Sequence, residues 1–142
     1  MLFPILNMNI REKFGYTYQI ESGYHTFSDS GIFNVYFATE PRFFEKCLNL
    51  VNRGFYRLKN DAITPTRLSS YKYQLKGQIA LGQENRAGLM LNNARNVLNY
   101  NRPLDIASVM SNIDKVTSQN IMDVANEILN DRLMSSLVYK ER

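Results

Sequence analysis

Two side chains that could bind a peptide stand seven residues apart near the start of the sequence, Arg11 and Tyr18. Arg11 lies at the end of an apparent helix, Gly15 stands where that helix would stop, and Tyr18 falls on the strand that follows. A guanidinium offers a fork of donors suited to carbonyls and carboxylates, and a phenol offers an O–H on a rigid ring. The pair could therefore hold a peptide backbone or an oxyanion. The structural alternative is that Arg11 complements the helix dipole and Tyr18 packs in the sheet.

The other reactive side chains are few. The 142 residues include one His, His25, one Cys, Cys47, and no Trp. Metal sites built from His and Cys need several such ligands, so we expect no metal in this chain. We expect His25 to be an exposed or hydrogen-bonded turn residue and Cys47 to be a buried, inert thiol on the apolar stripe of a helix. The sequence also lacks a nucleophile elbow, a Gly-rich phosphate loop and a Walker pattern.

Composition narrows the class of protein further. At 142 residues, with 44% hydrophobic and 21% charged residues, the chain is expected to form one globular domain. Seventeen basic residues against 13 acidic ones give a net charge of +4. The basic residues are spread along the chain without a block, so we expect no nucleic-acid partner.

Targeting signals are weak in this sequence. Residues 1–10 are apolar, but they lack a basic stretch before them and a cleavage site after them, so we read no signal peptide there. No run approaches the ~20 apolar residues of a membrane-spanning helix. We expect a soluble protein whose compartment stays open, with the cytoplasm favoured.

An alternation with a period of two predicts the strand that carries Tyr18. Tyr16, Tyr18 and Ile20 alternate with polar residues, which predicts one common side for the three. The segment 28–31, Ser-Asp-Ser-Gly, has turn chemistry, and the aromatic and β-branched run 32–37 follows it. We therefore predict an antiparallel hairpin over residues 15–38.

Helical spacing dominates the middle of the chain. Thr39 and Thr64 each stand just before a Pro-containing start signal, and each hydroxyl is expected to accept a free backbone N–H. Apolar residues then recur at steps of three and four. The predicted helices cover residues 41–60, residues 65–99 with a kink near Gly82, residues 104–113 and residues 117–129.

A last apolar run, Met134 to Tyr139, predicts a strand that returns to the sheet. Strands, then helices, then a strand give an α+β fold in which helices cover one face of an antiparallel sheet. Three strands make a small sheet for so many helices. We therefore expect partner strands outside this chain, which would be the later part of a larger domain.

Four segments in the right order resemble a known family of peptidases. Residues 6–18 are similar to L-x-x-x-I-R-E-K-x-G-x-x-Y, a signature of the second, C-terminal domain of M16 zinc metallopeptidases, which include insulysin, pitrilysin and the mitochondrial processing peptidases. Residues 24–37 resemble the family's Y-S-D-x-G-L-F hairpin. Residues 75–86 resemble its Q-L-K-G-x-x-x-L helix, and residues 113–117 its I-x-x-V-T entry to the last helix.

The resemblance implies a two-layer α/β sandwich of the M16 and LuxS-like type, of which residues 1–142 are the later part of an inactive C-terminal domain. Two halves enclose a chamber in this family. The N-terminal half holds zinc in an inverted H-x-x-E-H motif, and the C-terminal half holds no metal. The resemblance therefore implies zinc in a partner N-terminal domain, in the same or a separate chain. Residues 1–5 depart from the Gly-rich approach usual in the family.

The resemblance also gives the two candidate side chains a role. Arg11 would contact backbone carbonyls of a peptide substrate, and Tyr18 would hydrogen-bond near the scissile carbonyl and its developing oxyanion. Neither residue is catalytic in this chain, which is expected to be inactive alone. The alternative is a purely structural homologue, a scaffold subunit that assembles with a partner, and a homodimer stays open. Retention of Arg11 and Tyr18 favours the substrate-binding half of a zinc peptidase.

Overall fold

A computed structural model of the chain describes residues 15–27 and 29–140. Two strands, five helices and two short 3-10 turns follow one another along these residues. They are β1 (Thr17–Thr26), β2 (Gly31–Thr39), a turn (Pro41–Phe43), α1 (Phe44–Asn60), α2 (Pro65–Gly82), α3 (Arg86–Tyr100), α4 (Ile106–Lys115), α5 (Ser118–Ile128) and a second turn (Asp131–Leu133). The predicted α+β class is confirmed.

The chain divides into two compact units. One comprises residues up to 62 and those from 121 on, and the other comprises residues 63–120. The first holds the hairpin and α1, and the second holds α2, α3 and α4. In the ranges that the structure describes, no helix is long and apolar enough to cross a membrane.

The hairpin forms as predicted. Antiparallel pairing runs from Thr17 opposite Thr39 to Thr26 opposite Gly31. A Cβ at Gly31 would lie 2.5 Å from the Tyr24 hydroxyl oxygen, so the Tyr24 ring takes the space that any other residue there would need. The alternating pattern and the turn residues therefore predict the two strands and their antiparallel pairing, apart from a shift in register between Thr17 and Gln19.

One side of the hairpin packs on α1. Phe33 meets Phe55 with ring centroids 6.3 Å apart, and Phe37 meets Phe44 at 6.1 Å. These separations are typical of aromatic pairs in protein cores. The residues that α1 buries recur at steps of three and four, as its sequence predicts, and they are Cys47, Val51, Gly54 and Leu58.

Hydrogen bonds tie the end of α1 to the end of α5. The Lys59 ammonium donates to the Leu129 carbonyl at 3.1 Å, and the Asn126 amide donates to the Lys59 carbonyl at 3.0 Å. Ala125 and Leu129 are buried beside them, at 5% exposure each. The C-terminal part of α5 therefore completes the core of the first unit.

The prediction of one helix over residues 65–99 is wrong, because α2 and α3 are separate helices. Asn85 has an extended backbone (φ −77°, ψ 90°), and its side chain accepts a hydrogen bond from the Gly88 N–H at 3.0 Å. An Asn in this position starts a new helix by satisfying one of its free N–H groups. The expected kink at Gly82 is instead the end of α2.

Two lysines join α2 to α4 within the second unit. The Lys72 ammonium donates to the Asp114 carbonyl at 2.7 Å, and the Lys76 ammonium pairs with the Asp114 carboxylate. Asp105 caps α4 by accepting from the Ala107 N–H at 3.0 Å. These contacts hold the two ends of α4, one of them against the middle of α2.

The predicted strand over residues 134–139 is wrong. Met134 has extended dihedrals (φ −85°, ψ 136°), but residues 134–140 join no ladder among the described residues. Leu137 and Tyr139 are 77% and 88% exposed. A strand exists only where a neighbouring strand pairs with it, and an apolar alternation does not supply that neighbour. In the described ranges the sheet consists of β1 and β2.

Leu129, which is buried directly after the end of α5, offers a test of the core. We expect Leu129→Ala to lower the free energy of unfolding by about 2–4 kcal/mol, because it removes a packed side chain and leaves a cavity. Leu133, which is 76% exposed, is the matched control, and Leu133→Ala should change stability by less than about 0.5 kcal/mol. Urea unfolding followed by circular dichroism measures both. Equal losses in the two variants would contradict this assignment of the core.

Candidate functional site

Tyr18 occupies a β-bulge at the start of β1. The pairing with β2 shifts there, since Thr17 lies opposite Thr39 while Gln19 lies opposite Ala38. Tyr18 is therefore an extra residue in the register. A bulge of this kind bends the strand and redirects the side chains around it, and bulges are common beside active sites.

The bulge changes which side chains face the core. Thr17 and Ile20 are 6% and 3% exposed, whereas Tyr18 between them is 72% exposed. The predicted common side for Tyr16, Tyr18 and Ile20 is thus wrong, because the extra residue breaks the period of two. The alternative in which Tyr18 packs in the sheet is also wrong.

A partly buried polar corner, defined by Tyr16, Thr39 and Cys47, lies behind the bulge. The Thr39 hydroxyl donates to the Tyr16 carbonyl oxygen, and the Cys47 sulfur lies 3.7 Å from that oxygen and 3.6 Å from the Thr39 hydroxyl. Thr39 thus does not cap the following helix as predicted, because its hydroxyl binds the neighbouring strand; Thr64 also makes no side-chain cap. The corner satisfies a carbonyl at the point where the chain enters the bulge.

On the outer side of the same corner, Tyr18 belongs to a charged hydrogen-bond chain. Its hydroxyl donates to one carboxylate oxygen of Glu40 at 2.9 Å, and the other oxygen of Glu40 lies 2.7 Å from the Arg42 Nε. The bond to anionic Glu40 raises the pKa of Tyr18. Accepting from Tyr18 and Arg42 lowers the pKa of Glu40. The phenol is therefore protonated and the carboxylate ionised across the neutral range.

An aromatic stack continues from this chain. The Arg42 guanidinium carbon lies 4.7 Å from the Phe43 ring centroid, and Phe43 stacks on Tyr16 at 4.9 Å. The Lys46 ammonium lies 5.4 Å from the Tyr16 ring centroid. Cations over aromatic faces at such distances are attracted to the rings. These contacts thus connect Tyr18 to Tyr16 through Glu40, Arg42 and Phe43.

The other candidate residues are not brought to this corner as ligands. Arg11 lies outside the described residues, so its pairing with Tyr18 stays a prediction. His25 is exposed near the end of β1, and Cys47 is fully buried, as the sequence predicts for both. Among residues 15–27 and 29–140, no three His, Cys, Asp or Glu side chains are grouped to hold a metal, so the donor set there does not fit zinc.

The sequence alone does not single out Glu40 and Arg42. Glu40 and Pro41 have the pattern of a helix start, and that pattern says nothing about a residue 22 positions earlier in the chain. The contact between Tyr18 and Glu40 depends on the register and the bulge. The bond between Tyr18 and Glu40 could be predicted only if the bulge at Tyr18 were already known.

Comparison with known proteins identifies the family. Residues 4–75, just over half of the chain, match the sequence profile of the peptidase M16 inactive domain. The chain belongs to the M16 peptidase family, in its inactive domain. The resemblance stated from the sequence motifs is thereby confirmed.

Relatives and solved structures agree with that assignment. An uncharacterized zinc protease of Mycobacterium leprae is 32% identical over 127 residues, which cover 89% of this chain and 28% of that protein. The peptidase M16 inactive domain from Pseudomonas fluorescens is 26% identical with a TM-score of 0.65, covering 88% of this chain and 30% of that one. A chain of complex III2 from Candida albicans, 18% identical with a TM-score of 0.74 over 84% and 28% of the two chains, shows the fold alone. This M16 chain spans less than a third of each of them.

The Thr39 hydroxyl offers a test of the polar corner. We expect Thr39→Val to lower the free energy of unfolding by about 1–3 kcal/mol, because it leaves the Tyr16 carbonyl without its hydroxyl donor. Thr39→Ser keeps the donor and is the matched control, with a smaller loss. Chemical unfolding of the three proteins measures the difference. Equal stability of the Val and Ser variants would contradict a structural hydrogen bond at this position.

Cys47 gives a test that depends on pH. Burial raises the pKa of its thiol, and the hydrogen bond with Thr39 offsets part of that rise. Because the folded pKa exceeds the unfolded one, the contribution of the thiol to stability is fully present below the ordinary thiol pKa of about 8.5 and is lost as pH rises through the folded value. We expect wild-type protein to lose stability over that alkaline interval more steeply than Cys47→Ala. Urea unfolding at a series of pH values measures the free energy of unfolding of both proteins. Free energies that fall in parallel for the wild type and Cys47→Ala would contradict this expectation.

Proposed function

We propose that this chain is the non-catalytic, substrate-binding half of a zinc-dependent M16 peptidase. It closes a chamber and contacts peptide bound at the zinc of a separate N-terminal domain, whose zinc-bound water supplies the nucleophile. The observation that supports this most is the presentation of Tyr18. Its phenol is 72% exposed at a bulge, protonated, and hydrogen-bonded to Glu40 rather than packed in the core.

Tyr18 and Arg11 divide the work of binding in this proposal. The Tyr18 hydroxyl donates to the scissile carbonyl as negative charge develops on its oxygen, and such donors are most effective when they are already oriented. Arg11 holds backbone carbonyls of the substrate farther along, which its fork of donors suits. A phenol keeps its proton at neutral pH, so Tyr18 can act as a hydrogen-bond donor there.

The share of the relatives that this chain covers supports a division of labour between two halves. It matches 28% of the Mycobacterium leprae zinc protease over 89% of its own length. We propose that residues 1–142 are the later part of a single inactive domain, and that the zinc site belongs to an N-terminal domain in the same or a separate chain.

Kinetics of the assembled peptidase test the proposal. With the zinc-bearing half present, we expect Tyr18→Phe to lower kcat about 10²-fold on an unstructured peptide, because it removes a donor to the oxyanion. Arg11→Ala should lower kcat/KM, and both variants should keep the zinc content of the wild type. Tyr56→Phe is the matched control, since Tyr56 lies in the same unit, is 66% exposed and should leave turnover unchanged.

Two results would contradict the proposal. Wild-type kinetics in both the Tyr18 and Arg11 variants would leave assembly with a partner, without a part in proteolysis, as the function. Tight stoichiometric zinc or peptide cleavage by the 142-residue chain alone would contradict the assignment of the metal to another domain.

A further inference from the structure

We propose that Glu40 is a positioning residue, which orients the Tyr18 ring toward substrate and is itself fixed by Arg42. This inference rests on the proposed function of Tyr18. It assigns a role to a carboxylate that touches neither the substrate nor a metal in that proposal. The Glu40 carboxylate receives the Tyr18 hydroxyl at 2.9 Å on one oxygen and the Arg42 Nε at 2.7 Å on the other.

Tyr18 needs such a partner because packing does not hold it. As the extra residue of a bulge it stands opposite no residue of β2, and its side chain is 72% exposed. An exposed tyrosine ordinarily samples several rotamers, and ordering it as it donates to the developing oxyanion costs free energy in the transition state. The hydrogen bond to Glu40 fixes the ring before substrate arrives.

Glu40 is well placed to act as the fixed point. It stands at the corner between β2 and α1, directly before Pro41, whose ring restricts the backbone. Arg42 lies over the Phe43 ring at 4.7 Å, so the guanidinium is held on its other side as well. Each oxygen of the Glu40 carboxylate therefore accepts one hydrogen bond, and together the two bonds select one orientation of the carboxylate.

Glu40 orients Tyr18 without blocking it. A phenol has one proton, and in this structure that proton is donated to Glu40. The O–H can turn about its C–O bond without a change of ring rotamer, so a substrate oxyanion can accept the hydrogen bond in place of Glu40.

Ring-labelled tyrosine NMR on the 142-residue chain tests the contact without the zinc-bearing half. Tyr18→Phe identifies the Tyr18 signal. In Glu40→Gln, and more strongly in Glu40→Ala, we expect the pKa of Tyr18 to fall toward the ordinary tyrosine value. Glu45→Gln is the matched control, because it removes a carboxylate of the first turn of α1 that makes no hydrogen bond to Tyr18 in the described structure. An unchanged Tyr18 titration in both Glu40 variants would overturn the inference.

Kinetics of the assembled peptidase test the consequence. We expect Glu40→Ala to lower kcat about 3- to 10-fold, with Glu40→Gln between it and the wild type, because substrate must then order a mobile ring. In a Tyr18→Phe background the same change should cost nothing further, since Glu40 acts through the hydroxyl. Zinc content and unfolding midpoints should stay the same.

The outcomes separate the two proposals. Wild-type or raised kcat in Glu40→Ala, with Tyr18→Phe impaired, would overturn the positioning role and leave the function of Tyr18 standing. Full additivity of the Glu40 and Tyr18 changes would likewise overturn it. Unimpaired Tyr18→Phe would overturn the proposed role of Tyr18, and the positioning role of Glu40 with it.

Discussion

One extra residue between Thr17 and Gln19 decides which side of the hairpin each neighbouring side chain faces. In a regular strand, Tyr18 and Ile20 would share a side, and the phenol would compete with the aliphatic side chain for the core. With the extra residue, Ile20 packs inside and Tyr18 is exposed. The core of the first unit and the presentation of the candidate binding residue therefore depend on the same irregularity in one strand.

The bulge in turn depends on the corner where β2 ends. Thr39 and Glu40 are consecutive, and in extended chain consecutive side chains point to opposite sides. Thr39 turns inward and binds the Tyr16 carbonyl, whereas Glu40 turns outward and binds the Tyr18 hydroxyl. Two adjacent residues thus hold both the backbone at the entry to the bulge and the side chain that the bulge presents.

The sequence predicts the elements of this M16 chain better than it predicts the contacts between them. Periodicity and turn residues are local, and they gave the hairpin, α1 and the two last helices. The split between α2 and α3 also has a local cause, the cap at Asn85, but Asn within a helical pattern is ambiguous until its backbone is known. Residues 134–139 have the alternating pattern of a strand, but no neighbouring strand pairs with them among the described residues.

The candidate site shows the same limit. Tyr18 could be singled out because its type and its spacing from Arg11 suggested a chemistry and matched a family signature. Glu40 and Arg42 could not, because their contact with Tyr18 arises from a register shift that no composition or period encodes. An acidic residue before a proline ordinarily predicts a helix start. Glu40 does stand directly before the turn Pro41–Phe43 that leads into α1, and it binds Tyr18 as well.

The two sides of the corner differ in what their hydrogen bonds can achieve. The hydrogen bond between the Thr39 hydroxyl and the Tyr16 carbonyl is partly buried, so its loss costs more than that of an exposed contact and the bond contributes to stability. An exposed ion pair such as that between Glu40 and Arg42 competes with water and contributes little to stability. What an exposed contact still provides is direction, because it selects one orientation of a side chain among several. The inner side of the corner therefore stabilises the fold, and the outer side orients the phenol that the fold presents.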